Sequence, residues 1–399
     1  MKKLNVLLLG APINSSNLGC QALTYSLVHI LENISAQSRI PLDYYIFEYQ
    51  PDAKKTEDFI RKLGLTENKL YSYKFPFTVT LKNKVRNIFS ILQLFGVLRT
   101  IDVAIDVTAG DSFADIYGDY RFLGTTKIKE FVEKKGIPLL LAPQTYGPFN
   151  KKENEKYAAE IIKNAYRVVT RDAFSAGYVK EITGRDIPVT TDLAFQLPYE
   201  KTEIASEKTK VGLNISGLLV QNATEVGFVN KDDLKTDYDA YIDSLLEYLT
   251  SQECYEVYLI SHVDEDYHAC ETFHRKYPSA KLVNTFQNPM EVKSFISGLD
   301  IFVGARMHAT IAAFTSGVVT IPTAYSRKFE TMFSVVGYNV VVDLKASDTE
   351  TALADTIAYV ENSQELKKCV DSSLVIAQAY RKKTEMFFSD VILGLGGQQ

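Results

Sequence analysis

The sequence has no CxxC pair: its four cysteines, Cys20, Cys254, Cys270 and Cys369, are scattered over 399 residues. That spacing excludes a zinc ribbon and a small disulfide-stapled scaffold, and it fits a reducing compartment. There is no basic excess either. Lys+Arg 44 against Asp+Glu 49 leaves a formal net charge of −5, so the general attraction that holds duplex nucleic acid is missing. An anionic small molecule would need its counter-charges concentrated locally. No uninterrupted apolar stretch approaches the roughly 20 residues of a membrane-spanning helix. Met1-Lys2-Lys3 followed by Leu4 to Leu9 imitates a signal peptide. The run contains Asn5, however, and falls short of the about 7–15 apolar residues that export requires. It reads as a buried first strand, and the chain is expected to be cytoplasmic. GxSxG, HExxH, P-loop, EF-hand and GxGxxG spacings are all absent. His268 and His274 are six apart and do not share a helical face as metal ligands would. No metal and no cofactor are expected.

What is present is an ordinary soluble mixture, 46% hydrophobic and 23% charged, long enough for two domains. Short apolar, β-branched runs alternate with amphipathic stretches. In the first half the expected strands are Leu4–Gly10, Asp43–Tyr49, Leu70–Lys74, Asp102–Val107, Pro138–Pro143, Arg167–Arg171 and Val189–Asp192. Continuous runs such as Leu139-Leu140-Leu141-Ala142 suit strands covered on both faces, as in parallel sheets. A second series follows: Val211–Ile215, Val257–His262, Lys281–Asn284, Asp300–Ala305, Val318–Ala324 and Val340–Asp343. The fold class is α/β, with two Rossmann-like doubly wound parallel-sheet domains facing across a cleft. The expected divisions are residues 1–200, a polar linker over 201–209, a second domain over 210–362, and a C-terminal helix and tail over 363–399.

Chemistry is expected in the loops at the carboxyl ends of the strands. In Asp300-Ile-Phe-Val-Gly-Ala-Arg-Met-His a strand ends at Gly304, and Arg306 and His308 fall where the next helix begins. A cation and a titratable ring at a helix start make a compact site for an oxyanion or phosphate. The next strand-to-helix turn adds Tyr325, Arg327 and Lys328. Singly, each of these reads as well as a solvated cation or a surface salt bridge; their clustering favours the anion site. In the first half, Asp172 is explained as a helix N-cap, whereas Arg171 has no local partner and is expected to face the same anion from the other domain. The loop Asn14-Ser-Ser-Asn-Leu-Gly-Cys-Gln-Ala places Asn17 and Gly19 at a helix start. Asp111, in Thr108-Ala-Gly-Asp, and Gln144, in Pro143-Gln-Thr-Tyr-Gly-Pro, follow strands and suit a sugar's hydroxyls; they equally suit tight turns. His262 closes a strand ahead of Asp264 and Asp266, for substrate binding or a structural turn. Residues 82–99 are basic at the start and otherwise apolar, as in an interfacial helix touching anionic lipid or an ordinary sheet-packed helix.

Taken together, Asn17-Leu-Gly-Cys-Gln-Ala, Gly110-Asp111 with Tyr117-Gly118, Pro143-Gln-Thr-Tyr-Gly-Pro, Arg171-Asp172 with Ser175, Asp192, His262, Gly304-Ala-Arg-Met-His-Ala, and Tyr325 with Lys328 resemble the polysaccharide pyruvyl transferase family. The resemblance runs in order over residues 14–338. The departures are Cys20, where family members commonly have Asp, and Thr108-Ala-Gly, where they have a run of glycines. The resemblance implies a GT-B-like fold, phosphoenolpyruvate as donor and a sugar-linked pyruvate ketal as product. It implies His308 and Arg306 as catalytic residues and Arg171, Arg306, Tyr325 and Lys328 as donor contacts. The acceptor side falls to Asn17, Gly19, Asp111, Gln144 and His262. Of the carboxylates, Asp111, Asp115 and Asp264 are candidates for the general base. The partners expected are phosphoenolpyruvate and a glycan or lipid-linked sugar, with no nucleic acid and with membrane contact through 82–99. The competing readings are a nucleotide-sugar glycosyltransferase of the same architecture and a glycan-binding protein without turnover.

Overall fold

The computed structural model describes residues 2–66, 69–75, 84–220 and 233–397. The first sheet contains β1 (Leu4–Leu9), β2 (Leu42–Glu48), β3 (Leu70–Lys74), β4 (Val103–Asp106), β5 (Leu139–Gln144) and β6 (Arg167–Thr170). The second contains β7 (Thr209–Asn214), β8 (Tyr255–Leu259), β9 (Lys281–Leu282), β10 (Ile301–Gly304), β11 (Val319–Ala324) and β12 (Val342–Asp343). The helices of the first half are α1 (Leu18–Ser38), α2 (Ala53–Lys62), α3 (Lys84–Leu98), α4 (Asp119–Lys134), α5 (Lys152–Asn164) and α6 (Ala173–Thr183). Those of the second are α7 (Tyr238–Ser251), α8 (Asp264–Lys276), α9 (Pro289–Ile296), α10 (Met307–Thr315), α11 (Arg327–Ser334), α12 (Thr349–Glu361) and α13 (Ser363–Gly396).

The sheet orders are β3-β2-β1-β4-β5-β6 and β9-β8-β7-β10-β11-β12, every pairing parallel. Both are doubly wound and reverse direction between their first and fourth strands, β1/β4 and β7/β10. Such switch points open a crevice beyond the carboxyl ends of the strands. The period of two is plain in the second sheet. Val211, Leu213, Val257, Leu259, Ile301 and Val303 enter one buried cluster, while Tyr258 and Phe302 enter the other. Gly212 lies on that second face, where a Cβ would stand 2.5 Å from the Leu299 side chain.

Two compact units result. One holds Met1–Ser15, Leu23–Gln196 and Tyr380–Gln399; the other holds Ser16–Ala22 and Leu197–Ala379. The first turn of α1 therefore belongs with the second unit, anchored by Leu18 in a cluster with Tyr258, Ile260 and Phe302. The polar stretch after Leu197 runs along α9. Glu200 N–H donates to Ser294 Oγ at 3.1 Å and Thr202 N–H to Ser297 Oγ at 3.1 Å.

The expected strand Val189–Asp192 is a single bridge, Thr170 to Val189. Asp192 instead opens a 3-10 turn over Leu193–Gln196, accepting from Ala194 N–H at 2.8 Å, which ends the extended run. No described helix is long and apolar enough to cross a membrane. Of the basic residues that open the 82–99 segment, Lys82 lies outside the described residues.

Candidate functional site

The second unit gathers its chemistry at the β7/β10 switch point. β10 ends at Gly304, and Arg306 is the N-cap of α10 in extended conformation (φ −106°, ψ 121°). The Arg306 N–H donates across the switch point to Asn214 Oδ1 at 3.0 Å, Asn214 being the last residue of β7. The guanidinium grips Asp266, the third residue of α8: Nε lies 3.0 Å and Nη2 2.7 Å from Oδ1. Asp266 is fully buried and also accepts from Gly217 N–H (2.8 Å), Asn214 Nδ2 (3.3 Å) and His262 N–H (3.3 Å). One carboxylate thus ties together the loops after β7, β8 and β10. Burial works against the Arg306 charge, but Asp266 outweighs it and holds the guanidinium above its ordinary value. Tyr325 acts on Arg306 electrostatically in the same sense and rests edge-on against Phe329 at 5.6 Å. Lys328 sits half-buried in the first turn of α11.

His308, in the first turn of α10, meets the first turn of α1. A Cβ on Gly19 would fall 2.8 Å from His308 Cγ and 2.9 Å from its Cβ, and nearer still to Nδ1. Only a glycine lets the α1 backbone lie on that ring. Asn17 fixes the entry: its Oδ1 accepts from Gly19 N–H at 2.9 Å and from Cys20 N–H at 3.4 Å, the work of an N-cap. Leu18 N–H donates to the His262 carbonyl at 3.3 Å. His262 is 3% exposed, and neither ring nitrogen has a hydrogen-bond partner. Burial, with the charges of His308 and Arg306, pushes its imidazole down to about 3, so it is neutral at physiological pH. Arg306, His308, His262, Tyr325, Asn17 and Gly19 are therefore neighbours in one unit.

The first unit carries a separate arrangement. Arg171 is fully buried, with Nη1 on Asp192 Oδ2 at 2.5 Å and Nε on Thr145 Oγ1 at 3.0 Å. The partner that local sequence did not offer Arg171 is thus Asp192, supplied by the turn that replaced the expected strand. Burial opposes the guanidinium charge, yet Asp192, Asp111 and Asp172 hold it above its ordinary value. Gly110 is packed on this guanidinium: a Cβ there would lie 2.9 Å from Nη1. Asp111 follows, accepting from the Tyr117 hydroxyl at 2.7 Å. Asp172 caps α6 by accepting from Ser175 N–H at 2.7 Å. Gln144 is buried and gives its amide to Asp106, 3.0 Å to the carbonyl and 3.1 Å to Oδ2.

Thr108, Ala109 and Gly110 have φ values of 37°, 49° and 82°, three consecutive residues in the left-handed region. The turn is held by a buried network in which Thr108 donates to Asp106 and Lys129 pairs with Asp106 at 3.1 Å. A backbone of this shape is the physical reason for glycines at such a place. Of the candidate bases, Asp115 is spent on Asn150 N–H (2.7 Å), Lys151 N–H (3.0 Å) and Asn154 Nδ2 (3.0 Å). Asp264 is an exposed residue in the first turn of α8. Sequence reasoning did not single out Asp266 or Asn214 as partners of Arg306; the only local signal was a carboxylate placed third in a helix that follows a strand. Among the described residues no group of three or more His, Cys, Asp or Glu side chains could hold a metal ion.

Solved structures share the fold at low identity. A UDP-N-acetylglucosamine 2-epimerase matches with a TM-score of 0.65 at 9% identity, covering 100% of this chain and 98% of that one. The UDP-GlcNAc 2-epimerase from Neisseria meningitidis bound to UDP-GlcNAc matches at 0.61 and 11% identity, covering 96% and 99%. A ugt transferase from Siraitia grosvenorii in complex with UDP matches at 0.58 and 10% identity, covering 98% and 100%. These likenesses establish a GT-B-like architecture. No curated protein matches the chain. The family description "Polysaccharide pyruvyl transferase" matches residues 17–327, from the Asn17 cap through the Arg306–His308 segment to the start of α11. The chain belongs to the polysaccharide pyruvyl transferase family.

Proposed function

We propose that this transferase moves the pyruvate unit of phosphoenolpyruvate onto two hydroxyls of a hexose in a cell-surface polysaccharide precursor, forming a cyclic ketal and releasing phosphate. The observation that carries the reading is the seating of Gly19 on the His308 ring, in the unit that also presents Arg306. An acid and a cation then stand together at a switch point, with the α1 backbone packed on the acid's ring.

In the reaction, His308 protonates the methylene carbon of phosphoenolpyruvate, turning CH₂ into CH₃ and making C2 electrophilic. One sugar hydroxyl adds to C2 and passes its proton to the His308 imidazole, which the first step left neutral. The second hydroxyl displaces phosphate, which departs with the C2–O bond electrons and takes up that hydroxyl's proton, completing the ketal. Arg306 and Lys328 neutralise the departing phosphate, and Tyr325 orients it. Asn17 and Gly19 shape the acceptor approach. Arg171 takes a different part from the donor contact that the motifs implied. Its guanidinium is fully buried on Asp192 and Thr145 and serves to hold the Gly110–Asp111 loop. No cofactor enters this scheme, and where the precursor is lipid-linked the basic apolar segment from Lys82 helps dock the enzyme on anionic lipid.

The deciding experiment is incubation with phosphoenolpyruvate and a pool of acceptor glycans, followed by phosphate assay and NMR of the product. Phosphate release with a new ketal methyl signal supports the reading. Stabilisation by a UDP- or GDP-sugar without response to phosphoenolpyruvate would replace it with glycosyl transfer. Lys82→Gln, Lys84→Gln and Arg86→Gln together should lower liposome binding; unchanged binding removes the docking role.

A further inference from the structure

His262 is the buried polar group that the scheme above leaves unused. It lies three residues beyond β8, in the loop at the carboxyl edge of the second sheet, 3% exposed, with both ring nitrogens lacking a hydrogen-bond partner. Buried polar atoms without partners are rare and await water or a ligand. Its charged surroundings come from three elements. Arg306 and His308 at the entry of α10 act on the ring electrostatically. Asp266 of α8 takes the backbone N–H of His262, but its carboxylate is committed to Arg306. From α1 comes the Leu18 N–H on the His262 carbonyl. Ser216, two residues beyond β7 and next to the Gly217 that binds Asp266, also buries a hydroxyl with no partner. The ring therefore sits among cations, carries unused hydrogen-bonding capacity, and has no counter-charge of its own.

We infer that His262 contacts the anionic donor directly, its imidazole taking a proton from solvent as the anion arrives. The inference rests on the phosphoenolpyruvate reading and moves His262 from the acceptor side to the donor side. A phosphate or carboxylate group supplies the missing negative charge and accepts the ring N–H. It reverses the balance that burial and the neighbouring cations set against the charged imidazole. The proton comes from the buffer and returns to it when phosphate leaves.

The test is isothermal titration of the full-length protein with phosphoenolpyruvate, and separately with inorganic phosphate, in HEPES and in Tris at about pH 7.5. Different buffer ionisation heats reveal protons taken up. Wild type should take up roughly one proton per anion. His262→Asn should lose that uptake and bind roughly tenfold or more weakly, because a hydrogen bond to a charged group is lost or weakened. His262→Phe should bind more weakly still. Neither variant should lower the melting temperature of the unliganded protein appreciably, since the ring nitrogens bond to nothing there; a large drop would mark a structural role and overturn the inference. Equal affinity and equal proton uptake in wild type and variants would also overturn it, leaving the phosphoenolpyruvate reading intact. Wild type that binds phosphate but not phosphoenolpyruvate would sink that reading while the phosphate titrations still decide the role of His262. Binding of neither anion would sink both.

Discussion

Arg306 and Asp266 form a two-pronged ion pair, Nε and Nη2 both reaching Oδ1 at 3.0 and 2.7 Å, with the carboxylate fully buried. The pair fixes the guanidinium and, through Gly217 and His262, the loops on either side. Removing one partner of a buried pair leaves an uncompensated charge and costs about 3–5 kcal/mol. Asp266→Ala should destabilise by about 3 kcal/mol, read by urea unfolding, and abolish phosphate release. Asp266→Asn should recover part of the stability but little of the turnover. Full activity in either variant would show that Arg306 needs no anchoring.

Gly19→Ala separates activity from stability. The new methyl would collide with the His308 ring and displace it. Helix propensity, by contrast, favours alanine by about 1 kcal/mol at an α1 position. The expected outcome is turnover reduced roughly a hundredfold, as when a catalytic group is misplaced by about 1 Å, with the melting temperature little changed. Normal kinetics in this variant would dissociate His308 from catalysis.

Much of this was legible because strand ends and helix starts are local features. Arg306 and His308 fall between an apolar run and an amphipathic stretch, so their place at a strand's carboxyl end and a helix start could be read without coordinates. Their partners could not. Asp266 lies 40 positions from Arg306, and Asp192 lies 21 from Arg171. No periodicity encodes pairings of that kind. Gly19 was visible as a helix-start glycine, but its reason, the His308 ring, comes from the other end of the matched region. Val189–Asp192 has strand-like composition and still makes one bridge, because Asp192 turns the chain to serve Arg171 and Ala194. Likewise, Gly110 signals a turn, but nothing in Thr108 and Ala109 themselves announces that the left-handed backbone begins two residues earlier.

That turn makes its own prediction. Ala109 holds φ 49° and ψ 25°, a conformation that costs an L-residue about 1–2 kcal/mol relative to glycine. Ala109→Gly should therefore stabilise the protein by up to about 1 kcal/mol, raising the melting temperature by roughly 2–4 °C. Thr108→Gly should not, because Thr108 at φ 37° also donates its hydroxyl to Asp106. Calorimetry on the two variants compares strain with hydrogen bonding at adjacent positions.

The last prediction concerns pH and lies away from the chemistry. Glu133 lines a cavity of about 520 Å³ with Glu130, Tyr157, Glu160 and Tyr166, at the amino ends of β5 and β6. Burial raises its carboxyl from 4.5 to about 7, against a smaller opposing hydrogen bond from Asn164. A carboxyl raised on folding means that the native state binds more protons than the unfolded one between those values. Stability from this group is fully present below about 4.5 and is lost as pH rises through about 7. Glu133→Gln removes the ionising group, so its melting temperature should exceed that of wild type above neutrality and converge with it in acid. Melting curves taken across that range check the sign directly: a variant less stable than wild type in alkali would mean the carboxylate is stabilised where it sits.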